Sequence, residues 1–106
     1  MAFDGTVFVG VARVELRFPG VSSLKGKRAV LNKGRAALQR ALDCSVAEVG
    51  AQDLWQRAVL GVTVAASNEA SADRVLDRIV PVLERDPRLE VIRIDSYIDS
   101  WNGDGP

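Results

Sequence analysis

The sequence predicts an α+β sandwich, a four-stranded antiparallel sheet carrying two helices on one face. Three observations lead there. Apolar residues recur with period two in four segments and with a helical period in two, in the order β-α-β-β-α-β. Only the middle two strands are joined closely enough for a hairpin, and right-handed crossovers then leave few arrangements. The chain has 106 residues, 47% of them hydrophobic, enough for one domain with one modest core. These features together describe a ferredoxin-like βαββαβ sandwich whose second sheet face stays open. Residues 1–100 are expected to form the domain and residues 101–106 a flexible tail.

The first strand covers Thr6 to Phe18. Phe8, Gly10, Ala12, Val14, Leu16 and Phe18 fall on one face, and Val7, Val9, Val11, Arg13, Glu15 and Arg17 on the other. The first set is apolar throughout and belongs to the core; Pro19-Gly20 ends the strand. From Ser23 to Leu42 the period becomes helical, with Val30, Leu31, Leu38 and Leu42 on one arc and Ser23 as N-cap. Gly34 lies within that arc. It costs a helix about 1 kcal/mol against alanine, so close backbone packing is expected there.

Cys44 to Val49 and Arg57 to Ala66 read as the hairpin strands. Ser67 or Asn68 opens the second helix, which carries Ala72, Val75, Leu76, Ile79 and Leu83 inward. Pro81 lacks an amide donor and crowds the carbonyl of Asp77, so a kink or an irregular last turn is expected. Leu89 to Asp99 alternates again. Ile92, Ile94 and Ile98 are expected inward, and Val91, Arg93, Asp95 and Tyr97 outward.

Composition removes several function classes. The chain has no histidine, which excludes Ser-His-Asp and Cys-His catalytic groups and His-ligated metals. A single cysteine, Cys44, allows no internal disulfide and no multi-thiolate zinc site. Met1 to Gly5 carries no cation, and the run from Val7 to Ala12 is far too short to span a bilayer. A cytoplasmic protein without metal, cofactor or membrane association is expected. No base lies evident beside Ser22 or Ser23, and Cys44 follows a helix C-terminus, where the dipole disfavours a thiolate. The expectation is a protein that is not an enzyme and has no small-molecule substrate.

Fourteen cations balance fourteen anions, yet the charges are segregated. Between Gly20 and Leu42 stand Lys25, Lys27, Arg28, Lys33, Arg35 and Arg40 with no acid, a local charge of +6, while residues 43–106 carry −6. On the helical wheel Arg28 and Arg35 border one edge of the apolar arc; Lys33 and Arg40 lie beyond the other, with Lys25 between. Lys27 points toward the core side, where its stem can lie on apolar surface with the tip in water. Two readings stand: a solvated face pairing with Asp73, Asp77 or Glu84, or a surface for an RNA backbone. The start of this helix, with Lys25, Lys27 and Arg28 near free amides, could also hold a small anion.

Gln52 to Arg57 occupy the hairpin tip. There Trp55 can stack on a base and Arg57 donate hydrogen bonds, or Trp55 can cover the core edge while Asp53 pairs with Arg57. The open sheet face offers Val9, Val11, Val59 and Tyr97 ringed by charges including Arg13, which suits self-association as a homodimer. It lacks the aromatics with which RNA-recognition motifs stack bases.

Several segments occur in a familiar order. They are Phe8-Val9-Gly10-Val11, Val14-Glu15-Leu16, Pro19-Gly20, Ser23-Leu24-Lys25-Gly26-Lys27-Arg28, Ser45-Val46-Ala47-Glu48-Val49, Asp53-Leu54-Trp55-Gln56-Arg57-Ala58 and Leu60-Gly61-Val62. From Thr6 to Ile98 the chain resembles the YlxP-like family of small bacterial proteins, a family of unknown function. The resemblance implies a ferredoxin-like fold. It also implies an association with translation or ribosome maturation, since family genes commonly neighbour those for translation initiation factor two and ribosome-binding factor A. The chain departs from the family pattern at Gly26, where many members carry Glu, at Pro81, and in its extended ends. The expected function is therefore binding of RNA or a ribosomal particle through the basic helix, with a homodimeric interaction module as the alternative.

Overall fold

The computed structural model describes residues 5–104, so expectations about residues 1–4 and 105–106 lie outside the described residues. Seven elements follow one another: β1 (Val7–Arg17), α1 (Leu24–Leu42), β2 (Ser45–Gly50), β3 (Arg57–Ala66), α2 (Glu69–Leu76), α3 (Ile79–Leu83) and β4 (Glu90–Trp101). The strands form one antiparallel sheet in the order β2-β3-β1-β4, the ferredoxin-like arrangement. The helices cover one face. Beneath them Val14, Leu16, Phe18, Leu38, Leu60, Val62 and Ile79 are fully buried; the period-two and helical assignments of β1, α1 and β3 account for most of the core, and Val46, Leu76, Ile79, Val82, Leu83 and Leu89 complete it.

Local chemistry explains the helix ends. Ser23 caps α1, its Oγ accepting the Gly26 N–H at 3.0 Å. Asp43 closes the other end in the left-handed region (φ 50°), with its N–H on the Gln39 carbonyl at 3.1 Å. Gly34 lies where α1 meets α3, and a Cβ there would stand 3.3 Å from Leu83 Cδ2, so the close packing expected of this glycine is present. Asn68 caps α2 by accepting the Ser71 N–H at 2.8 Å. Replacing Asn68 by alanine should cost about 1 kcal/mol in denaturant unfolding, and an unchanged midpoint would contradict this role.

Two expectations are corrected. The second helical segment is not one helix with a kink near its end but two: α2 stops at Leu76, and α3 starts at Ile79. Pro81 explains the place. A continuous helix would aim the Asp77 carbonyl at a residue with no amide hydrogen, so the chain breaks around Asp77 and Pro81 falls in the first turn of α3.

The second correction concerns β4. Its register against β1 slips between Glu15↔Arg93 and Leu16↔Val91, leaving Ile92 as the extra residue of a bulge. Val91 therefore turns inward and packs against the core, while Ile92 turns outward and is 41% exposed, the reverse of simple alternation. Ile94 and Ile98 pack inward as expected. The strand also runs further than alternation suggested, pairing Trp101 with Val7.

Candidate nucleic-acid interface

Five of the six cations of α1 behave as a surface set. Lys25, Arg28, Lys33 and Arg40 are exposed, and Arg35 is half-buried with Nη2 donating to the Val46 carbonyl at 3.3 Å. Among the described residues, the ion pairs are Arg13–Glu15, Arg17–Glu90, Lys27–Glu48, Arg88–Asp86 and Arg93–Asp95. None involves these five. The pairing with Asp73, Asp77 or Glu84 is absent for a topological reason. Helix α1 packs against α3 rather than α2, and Glu84 is turned to the sheet, where Oε2 accepts the Val91 N–H at 3.0 Å.

Lys27 is a correction. It was expected to reach water and join the basic surface, but it is 1% exposed and its ammonium is consumed inside the protein. Nζ donates to the carbonyls of Ala51 (2.8 Å), Leu54 (2.8 Å) and Gln52 (3.5 Å). Glu48 Oε2 lies 3.4 Å away; it accepts no hydrogen bond, so its contact with Lys27 is Coulombic. Burying a lysine is tolerable only when its donors and charge are answered, and here both are. The signal was present in the sequence. Lys27 sits on the apolar arc of α1, and Glu48 shares the inward side of β2 with Val46. Two opposite charges on two core-facing sides have each other as natural partners.

This clamp ties the β2–β3 turn to the first turns of α1. Two more bonds reinforce it: Gln56 Nε2 donates to the Val21 carbonyl (3.0 Å), and the Phe18 N–H donates to the Gln56 carbonyl (3.0 Å). Ala51 is held at φ 58°, a left-handed conformation costly for a residue with a Cβ, while its own carbonyl accepts from Lys27. The turn leaves Trp55 53% exposed, so it does not serve as a core cover, and Asp53 makes no ion pair with Arg57. Asp53, Leu54, Trp55, Gln56 and Arg57 line an open depression of about 470 Å³. The structure thus holds the turn carrying Trp55 and Arg57 against the start of the basic helix. The small-anion site loses two parts there, since Lys27 faces inward and Ser23 Oγ already occupies the Gly26 N–H.

At the other edge of α1, Lys33 overlooks the turn after α3. Asp86 accepts from Arg88 Nε (2.9 Å) and Nη2 (2.7 Å). The Arg88 hydrogen bond, with Lys33 adding to it, holds the Asp86 carboxyl at about 2, below its ordinary 3.8. A carboxyl lowered on folding stabilises the fold fully above its ordinary value, and that contribution disappears as pH falls through about 2. The melting-temperature gap between the parent and Asp86→Asn should therefore be present at pH 6 and close near pH 2. A gap independent of pH would contradict the pairing.

The remaining chemistry is sparse. Burial pushes the Cys44 thiol above its ordinary value, and Sγ lies 3.5 Å from the Leu38 carbonyl. Among the described residues no three His, Cys, Asp or Glu side chains converge as a metal site, and no helix is long and apolar enough to cross a membrane.

The model for a protein family of unknown function, DUF503, matches residues 9–96 of this chain, which include both the Lys27 clamp and the turn it holds. The chain belongs to the DUF503 family. This DUF503 chain is 32% identical over 82 residues to the uncharacterized protein YlxP of Bacillus subtilis (strain 168), covering 77% of this chain and 89% of that one. Among solved structures it is similar to a de novo designed protein, Foldit4, with a TM-score of 0.51 at 10% identity over 88% of this chain and 96% of that one. That likeness concerns the fold alone. No enzymatic family emerges from these comparisons with the DUF503 chain.

Proposed function

We propose that this protein is a non-enzymatic cytoplasmic accessory factor that binds RNA, with ribosomal particles as its setting, through the exposed face of α1. The observation that carries the reading is the set of cations at Lys25, Arg28, Lys33, Arg35 and Arg40 with no carboxylate within ion-pair distance. Cations free of ion pairs from Lys25 to Arg40 coat the solvent side of α1, from the Arg28 and Arg35 edge to the Lys33 and Arg40 edge, a surface suited to the phosphates of a strand. Trp55 and Arg57, held at the start of that helix, add a stacking ring and a donor. The ribosomal setting is the association that resemblance to the YlxP-like family implies.

Lys27 leaves the contact set and acts instead by positioning the turn. Five phosphate contacts at roughly 0.7 each give a slope of log affinity against log salt of about −3.5. Fluorescence anisotropy of a labelled single-stranded RNA, titrated at several salt concentrations, tests this. Affinity that falls steeply with salt supports the reading, and absent or salt-independent binding overturns it. Sedimentation of lysate through a gradient then asks whether the protein travels with ribosomal particles.

A further inference from the structure

The open sheet face carries a second, independent feature. Along β1 and β4 its side chains face each other in rows: Val7 with Trp101, Val11 with Tyr97, Arg13 with Asp95, Glu15 with Arg93. Each row is either apolar on both strands or opposite in charge. Trp101 and Tyr97 are 56% and 61% exposed, large aromatic surfaces left to water.

We infer that this face is covered by a second copy of the chain, stacked sheet to sheet about a twofold axis running along the strands between β1 and β4. Such an axis, lying in the plane between the sheets, sets each β1 residue over the β4 residue of its own row in the other copy. Arg13 then meets Asp95 of the second copy, Glu15 meets its Arg93, and Val11 and Val7 meet its Tyr97 and Trp101. Arg13, Glu15, Arg93 and Asp95, already paired along their own strands, each gain an opposite charge across the interface, and the aromatics leave water together. Val9 against Asp99 is the row that gains nothing, and there Asp99 Oδ1 already accepts the Ser100 N–H (2.8 Å).

Other axes fail on the same residues. Centred on β1, the axis would stack Arg13 on Arg13 and Glu15 on Glu15. Set across the strands between those two rows, it would still pair Arg13 with Glu15 and Asp95 with Arg93 but would place Val11 over Arg17. Charge complementarity together with the apolar match of Val11 to Tyr97 therefore favours the second copy in the first orientation.

Sedimentation equilibrium from about 10 μM to about 0.5 mM, the range for an interface of modest size, provides the test. The mass should rise toward twice the 11.4 kDa chain. Tyr97→Glu, an exposed substitution, should weaken association at least tenfold with an unchanged circular dichroism spectrum and melting temperature. Arg13→Asp should weaken it, and adding Asp95→Arg should restore it. In a Cys44→Ala background, a thiol crosslinker of about 10 Å, the spacing of stacked sheets, should join Val11→Cys chains to Tyr97→Cys chains in preference to Val11→Cys chains to one another. A wild type that stays monomeric throughout overturns the inference. So does a dimer indifferent to Tyr97→Glu, or one in which Val11→Cys chains crosslink chiefly among themselves. None of these outcomes touches the α1 cations of the RNA reading, which lie on the opposite side of the sheet; Arg57 shares the open face with Val59 but sits on β3, outside the β1–β4 rows.

Discussion

Lys27→Met should destabilise the protein by about 3–5 kcal/mol, the largest effect expected of any single charged residue in the chain. The methionine can fill the buried stem, so little of the loss comes from packing. It comes from what the ammonium leaves behind. Three carbonyls, of Ala51, Gln52 and Leu54, lose their donor, and Glu48, whose side chain is 10% exposed, loses its counter-charge. Ala51 also stays in its left-handed conformation with less to hold it there. Urea unfolding measures the effect. Glu48→Gln in the Lys27→Met background should recover part of the loss, giving a coupling of about 0.5–3 kcal/mol in a double-mutant cycle. A cost below about 1 kcal/mol for Lys27→Met would mean that the ammonium is dispensable to the turn. Because Trp55 lies just beyond that turn, its fluorescence should report the loosening even where the rest of the domain stays folded.

Reversing Arg28, Lys33 and Arg40 to Glu should weaken RNA binding by roughly 10²–10³-fold at about 50 mM salt, taking about 0.7 released counterion per lost contact. The salt slope should become shallower by about 2 at the same time. These three positions are exposed and make no ion pair, so the fold should lose no more than a few tenths of a kcal/mol, chiefly from a new acid in the last turn of α1 at position 40. Trp55→Ala separates the two kinds of contact. It should cost about 1–3 kcal/mol of binding by removing a stacked base while leaving the salt slope where it was. A triple reversal that binds RNA as tightly as the parent would end the proposal for α1.

The two predictions differ in how far the sequence foretold them. The basic coat on the solvent face of α1 could be read directly, because a helix repeats every 3.6 residues and each side chain's direction follows from its position. The same argument placed β1 and β3 correctly, and residue chemistry pointed to the Ser23 cap and the close packing at Gly34 but left the start of the second helix open between Ser67 and Asn68. Lys27 shows where it stops. The wheel puts Lys27 on the core side, but whether a lysine there reaches water or is enclosed depends on what lies opposite. What lies opposite is a turn 24 to 27 residues further along the chain. Ile92 and Val91 make the same point in a strand. Alternation assigns their faces until a bulge slips the register by one residue, and the slip is set by pairing with β1 rather than by β4 itself.

Taken alone, the order of residues determined the succession of strands and helices, the core-facing side of most of them, the segregation of charge and the family. Those properties depend on backbone geometry that repeats over a few residues, so local spacing is enough to specify them. Tertiary structure alone decided that one of six helix cations is consumed in holding a turn and that the other five stand apart from the acids of α2. It likewise decided that rows of matched side chains line the open face. Each of these depends on which distant segments meet, and a charge is paired or free according to its neighbours in space.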